Sequence, residues 1–283
     1  MFLSLSSWIF GGLAAREMLA KVARCGYRHV EISASAWPEK WDFCELHSVA
    51  ADLGITILSA HCCHHEISDK ELDDKRYREY HRRFYANLEG AQGLIVVEHE
   101  SSRFDEPREV ARAGLLRELA KTQGLSVSFE NMAAPPEKLE KLVRMEGLSF
   151  TFDPMHAVQL ARLDPLQYAG LFYRLVNVHA MDEIKGASLG HAVPCGMGQI
   201  GWPGIIKALA RAGYRGPVTV ETEMSPVRRV TEMCRAVYES AYGAASAPRF
   251  EPGIEEAFAV YARKHLERLI HEGFVAITMD AGR

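Results

Sequence analysis

Phe150-Thr151-Phe152-Asp153-Pro154-Met155-His156 reads as a buried strand that stops at an acid, with a histidine three residues further on. Three other short apolar runs stop in the same manner: Val127-Ser128-Phe129-Glu130, Val176-Asn177-Val178-His179 and Val218-Thr219-Val220-Glu221. One acid at a strand end is ordinary, because ion pairs also occupy such places. Three carboxylates and an imidazole at the same place in four strands point to one convergent site. That donor set suits a hard to borderline divalent cation.

Strand-like and helix-like segments alternate along the whole chain. Strands are expected to start near Phe2, His29, Thr56, Gly93, Ser126, Ser149, Leu175 and Val218, each gap being long enough for one βα unit. Between them, Leu13–Cys25, Lys70–Gln92, Glu106–Gln123 and Trp202–Ala212 carry helical periodicity, with Leu13, Met18, Leu19 and Val22 on one stripe and Val110, Leu115, Leu116 and Leu119 on another. Glycines at 26, 54, 124 and 213 stand where helices should stop before a return strand. Eight alternations with near-continuous apolar strands predict parallel pairing, and right-handed crossovers favour closure into a single α/β (β/α)₈ barrel. An open doubly wound sheet is the rival, but it would gather ligands at one switch point only. A barrel brings all strand ends around one axis, where Glu130, Asp153, His179 and Glu221 can meet.

The 283 residues are read as one domain, with 225–283 as a helical extension that covers the barrel or forms a subunit contact. Within it, Pro226–Ser240 and Ile254–His271 read as helices and Gly243–Gly253 as a loop. Apolar residues make up 48%, enough for a sizeable core. Lys and Arg number 33 against 37 Asp and Glu, a net charge of −4 that gives no electrostatic footprint for nucleic acid or an anionic membrane. The apolar start ends at Gly11-Gly12, too soon for a signal peptide or a span, so a cytoplasmic protein is expected. Six cysteines without C-x-x-C spacing are expected to be free thiols.

After His179 come Ala180-Met181-Asp182, then Gly190-His191 and Gly196-Met197-Gly198-Gln199-Ile200-Gly201-Trp202 leading into a helix. These glycines would let backbone approach a ligand closely. Taken with Phe129-Glu130-Asn131, Phe152-Asp153-Pro154-Met155-His156 and Val220-Glu221, the ordered set resembles the xylose-isomerase-like barrel superfamily of sugar and sugar-phosphate isomerases and epimerases, which includes endonuclease IV. The resemblance implies that Glu130, Asp153, His179 and Glu221 bind one divalent metal, Mn²⁺ first, with Mg²⁺, Co²⁺ or Zn²⁺ as alternatives. It implies acid and base roles for Glu130 and Glu221, and substrate contact by His156. The expected substrate is a small polyhydroxy carbonyl compound. Proton abstraction next to its metal-bound carbonyl would pass through an enediolate.

His61, His99 and His191 are further candidates for holding substrate, with Trp8 and Trp37 as an apolar wall. Asp182 and His191 read equally well as partners of the ligands or as loop residues. The run His61-Cys62-Cys63-His64-His65 is rejected as a structural zinc site, because adjacent strand residues point to opposite faces and the usual turn between ligand pairs is missing. Asp69–Arg83 is expected to be a solvated helix face. Lys185, Arg228 and Arg229 are the candidates for holding a phosphate. Two other enzyme classes share the site. One is a lyase, a polyol or dehydroshikimate dehydratase, which begins with the same proton abstraction. The other is an endonuclease IV-like zinc phosphodiesterase, disfavoured by the negative charge and by Leu189 where the nuclease has an aspartate. A partner subunit without activity is the non-enzymatic alternative, and a homo-oligomer is left open.

Overall fold

Small polar residues alternate with branched and aromatic ones along the strands, and this alternation builds the barrel wall. The computed structural model describes residues 1–11, 13–34, 43–62, 75–100, 106–145, 147–183, 193–222 and 254–280. The strands are β1 (Phe2–Ser6), β2 (His29–Ser33), β3 (Thr56–Cys62), β4 (Ile95–His99), β5 (Ser126–Glu130), β6 (Leu148–Phe152), β7 (Leu175–Asp182), β8 (Val193–Pro194) and β9 (Pro217–Val220). Those from β1 to β7 pair in parallel with their sequence neighbours; β7 pairs with β9, and β9 with β1, which closes an eight-stranded parallel barrel. The fold is a (β/α)₈ barrel, as expected. β8 is an addition: it runs antiparallel to β7, with Met181 opposite Pro194 and Asp182 opposite Val193.

The helices are α1 (Ala15–Arg24), α2 (Phe43–Asp52), α3 (Lys75–Ala86), α4 (Glu106–Thr122), α5 (Pro136–Val143), α6 (Pro154–Gln159), α7 (Trp202–Arg211) and α8 (Ile254–Asp280), with a 3₁₀ segment over Pro165–Arg174. Met18, Leu19 and Val22 of α1 are buried, and Gly124 and Gly213 stop α4 and α7 with φ of 68° and 74°. α8 fills the gap in the outer ring between α7 and α1. The Tyr27 hydroxyl donates to the Ala259 carbonyl at 2.8 Å, and Glu256 pairs with Arg24 at 3.0 Å and Lys21 at 3.2 Å. It is thus the closing helix rather than a cover, and it runs further than the expected Ile254–His271. The expected helix Pro226–Ser240 and loop Gly243–Gly253 lie outside the described residues.

Two features depart from the expected patterns. The strands are not continuously apolar. Ser59 (β3), Ser128 (β5), Thr151 (β6), Asn177 (β7) and Thr219 (β9) are buried and hydrogen-bonded inside the barrel, mostly between neighbouring strands, with Asn177 reaching across to Glu31 of β2. The apolar residues of the same strands face the helices, as where Phe152 meets Tyr168 and Phe172. Val110, expected on the apolar stripe of α4, is 39% exposed, and α4 buries Glu109 and Arg112 instead. In the run Asp69–Arg83 the described charged residues Arg78, Glu79, Arg82 and Arg83 are exposed, as expected of a solvated face, while Tyr77 and His81 on the other side of α3 are buried.

Candidate active site

The interior polar ladder ends, at the C-terminal rim of the barrel, in a cluster of ionisable groups. Alternation turns Glu31 (β2), His61 (β3), His99 (β4), Glu130 (β5) and His179 (β7) inward, and Glu221 follows directly after β9. Contacts between non-adjacent strands fix this direction. His61 Nδ1 lies 3.2 Å from Glu221 Oε1, and His179 Nε2 lies 3.2 Å from Glu31 Oε1. Asp153 caps α6, its Oδ1 accepting from the amides of Met155 at 2.6 Å and His156 at 3.2 Å. Asn131 holds this corner to β5, accepting from the Asp153 amide and donating to the Asp153 carbonyl, each at 2.8 Å. One carboxylate oxygen therefore does the capping and Oδ2 is left to face the cavity.

One donor atom from each of Glu130, Asp153, His179 and Glu221 lies within 4.8 Å of the others, and all four residues are buried. His179 Nδ1 is 3.1 Å from Glu130 Oε1 and 2.9 Å from Glu221 Oε2. Yet among the described residues Glu130 Oε1 and Oε2, Asp153 Oδ2, His179 Nδ1 and Glu221 Oε2 make no aligned hydrogen bond. Five buried polar atoms aimed at one another without bonds are costly unless something charged lies between them. Oxygen and imidazole donors from four strands fit a divalent cation in that place.

The histidines surround this quartet. His156 Nδ1 lies 3.1 Å from Glu130 Oε1 and 3.4 Å from Asp153 Oδ2, while His99 Nε2 lies 3.2 Å from Glu130 Oε2. His61 Nε2 approaches His99 Nε2 at 2.8 Å and Glu130 Oε2 at 3.2 Å. His99 and His156 each keep 13% of their side-chain surface exposed, so the site opens on their side. Trp8 is half-buried in the 3₁₀ turn that follows β1, at the same rim but outside the cluster. His191, Trp37, Lys185, Arg228 and Arg229 lie outside the described residues.

Charges within the cluster set its protonation. Burial alone would raise the Glu130 carboxyl, but His179 and His99 hold it well below the usual carboxylate range. Glu221 is likewise held low by His179 and His61 against its burial. His179 is held well above the usual imidazole range by Glu130 and Glu221, although burial opposes this. Asp153 is pushed up to about 7 by burial, opposed by His156 and reinforced by Glu130. Against its burial, His156 is also raised, to about 9, by Asp153 and Glu130, so the carboxylates of the cluster favour positive charge on both His179 and His156.

One position in the cluster carries no mark in the sequence. Glu31 sits in the middle of β2, not at a strand end, and nothing in its run marks it. In the fold it accepts from Ser59 Oγ at 2.7 Å and Asn177 Nδ2 at 3.0 Å, and faces His179 Nε2. A carboxylate in this position would fix the tautomer of a metal-bound His179, turning Nε2–H to Glu31 and leaving Nδ1 for the quartet. Asp182 was weighed as a partner of the ligands or a loop residue, and its contacts are with the loop. It accepts from the amides of Glu183 at 2.9 Å, Gly196 at 3.0 Å and Ile200 at 2.8 Å. The Gly196 and Gly198 backbone closes on Asp182 rather than on a ligand: a Cβ at Gly198 would lie 2.3 Å from Asp182 Oδ1.

A family model described as xylose isomerase-like TIM barrel matches residues 19–243. No curated protein matches the sequence. Among solved structures, an L-ribulose 3-epimerase superposes with a TM-score of 0.73 at 14% identity, over 100% of this chain and 99% of that one. A D-psicose 3-epimerase with D-tagatose from Clostridium cellulolyticum H10 gives 0.62 at 17% identity, over 95% and 99%. A xylose isomerase-like TIM barrel/4-hydroxyphenylpyruvate dioxygenase fusion protein gives 0.65 at 20% identity, over 89% of this chain but 45% of the fusion. At these identities the likeness is one of fold.

Proposed function

Because the chain belongs to the xylose isomerase-like TIM barrel family, and because its mouth gathers the quartet just described, we propose a divalent-metal-dependent isomerase or epimerase of a small sugar or sugar phosphate. The observation that carries this reading is the convergence of Glu130, Asp153, His179 and Glu221 with five unbonded buried atoms between them. Glu130, Asp153, His179 and Glu221 would hold the ion. When bound, a divalent cation there acidifies the C–H next to a carbonyl and offsets the negative charge that develops on oxygen.

The remaining work belongs to the chain's own groups. Glu130 and Glu221 belong to strands that are not neighbours in the barrel, so one, as the carboxylate, would remove a proton from carbon and the other, having first taken up a proton from solvent, would deliver it. Delivery to the opposite face of the same carbon is epimerisation; delivery to the adjacent carbon is aldose–ketose isomerisation. His99 and His156, on the open side, are placed to hold substrate hydroxyls, and His61 braces His99. Incubating the metal-loaded protein in D₂O with a panel of ketoses and ketose phosphates tests the reading. Deuterium at carbon without loss of water supports it. Loss of water would move the protein to the lyase class, and no exchange with any member would refute it.

One observation favours a second reading. His61, His99 and Glu130 also bring donor atoms within 4.8 Å of one another, so a further ion would fit beside the first, as zinc phosphodiester hydrolysis requires. Cleavage of abasic-site DNA, abolished by His99→Ala, would establish that reading in place of the first.

A further inference from the structure

On the outer face of the same two strands lies another cluster, apart from the mouth. Cys62 is the last residue of β3, and Glu98 is its direct register partner on β4. Both point away from the barrel axis, because their chain neighbours His61 and His99 point in. His81 of α3 descends onto this pair. Cys62, His81 and Glu98 are each 0% exposed, and one donor atom from each lies within 4.8 Å of the others.

The donors are already oriented. His81 Nδ1 lies 2.8 Å from the Tyr77 carbonyl, which can only accept, so Nδ1 carries a proton there and Nε2 faces Glu98 Oε2 at 3.3 Å. That separation is the edge of a tetrahedron whose bonds are about 2.0–2.1 Å, the length of Zn–N and Zn–O bonds. The Tyr85 hydroxyl donates to Glu98 Oε1 at 3.2 Å, which leaves Oε2 for the shared point. A carbonyl behind the imidazole and a hydroxyl behind the carboxylate are the supports that metal ligands ordinarily have. Beside them Arg112 donates to the Tyr77 hydroxyl and pairs with Glu109 at 3.3 Å. Among these residues a divalent cation and the guanidinium would balance two carboxylates and one thiolate.

We propose that Cys62, His81 and Glu98 form a second metal site that takes a borderline-soft divalent cation of the Zn²⁺ class. Binding releases the Cys62 thiol proton to solvent, and water completes the fourth position. The site pins α3 to the ends of β3 and β4, one residue from His61 and His99, and so fixes the strands that present them. Mn²⁺, which avoids thiolate, would be left to the mouth. His61 and Cys62 serve opposite faces of β3, so the partners of Cys62 come from α3 and β4; Cys63, His64 and His65 lie outside the described residues.

The full chain, stripped with chelator under reducing conditions and reloaded with Co²⁺, is expected to show a thiolate-to-cobalt charge-transfer band in the near ultraviolet. The oxygen and nitrogen donors of the mouth cannot give one. The band should disappear in Cys62→Ser and persist in Cys63→Ser and in Glu130→Gln, so its fate is independent of the reading of the mouth. His81→Gln should weaken Zn²⁺ retention at least about tenfold in competition with a chromophoric chelator. No band in folded wild-type protein, or a band that survives Cys62→Ser, overturns the proposal. If Cys62→Ser does not fold, the wild-type spectrum and His81→Gln decide.

Discussion

The two faces of β3 and β4 present buried polar clusters one residue apart in sequence, and they differ in what binds them together. On the inner face, His61 and His99 meet Glu130 of the neighbouring β5 and His179 and Glu221 from the far side of the barrel, and these leave buried atoms without aligned bonds. On the outer face, Cys62 and Glu98 meet His81, Tyr85, Tyr77 and Arg112 of α3 and α4, and the hydrogen bonds run from one neighbour to the next. The inner set is aimed at a point and open at His99 and His156. The outer set is sealed between strand and helix. Both clusters bury ionisable groups with convergent donor atoms, so burial does not distinguish them; access from the barrel mouth does.

The comparison breaks most sharply in turnover. Glu130→Gln or Glu221→Gln is expected to lower the exchange rate by about 10²–10⁴ while leaving the circular dichroism spectrum intact, since the acid–base group goes and its shape stays. Turnover at the wild-type rate in either variant would remove the inner face's claim to chemistry. On the outer face, Arg112→Met removes the guanidinium from the buried Glu109–Arg112 pair and should cost about 3–5 kcal/mol in denaturant unfolding, with the rate per folded molecule unchanged. A variant as stable as wild type would show that the outer network is not held by this pair.

Smaller effects sharpen the contrast. Glu31→Gln keeps the hydrogen bonds to Ser59 and Asn177 in reach but removes the charge behind His179. Metal affinity at the mouth is expected to fall about 10–100-fold, measured by chelator competition, and an unchanged affinity would deny Glu31 its positioning role. Glu100, the residue after His99, is a buried acid in neither cluster. Its carboxyl accepts from the amides of Met132 and Ala134, and burial pushes it up to about 8 from 4.5, partly offset by those two bonds. The folded state keeps this proton longer than the unfolded chain, so stability should fall as pH rises from about 4.5 to about 8. Glu100→Gln should flatten that slope and be relatively more stable, by roughly 1–2 kcal/mol, above pH 8. Parallel melting curves of the two proteins across that range would refute this assignment.

What could be read from sequence follows the same division. The barrel was legible because eight runs alternate with helices, and strand starts at Phe2, His29, Thr56, Ser126 and Leu175 coincide with the structure. The quartet was legible because each member ends an apolar run. Glu31 was not: it lies inside a strand, and only closure of the barrel brings β2 opposite β7. His81 was hidden in a stretch of charges on α3, where its neighbours Arg78, Glu79, Arg82 and Arg83 suggest a solvated face. Val110 failed as a core residue because α4 uses its inner side to bury the Glu109–Arg112 pair, which periodicity of apolar residues cannot reveal. The Gly196 and Gly198 backbone looked ready for a ligand, but Asp182 occupies it, a local pairing that depends on the hairpin made by β7 and β8.

Glu130, Asp153, His179 and Glu221 are proposed to share one cation. Titration of chelator-stripped protein with Mn²⁺, followed by calorimetry, tests it most directly, because this hard ion avoids the thiolate cluster. The expected result is one Mn²⁺ per chain, lost in both Asp153→Asn and His179→Ala with the fold retained. Mn²⁺ binding that survives either substitution undiminished, or none at all in the folded wild-type protein, would contradict the account.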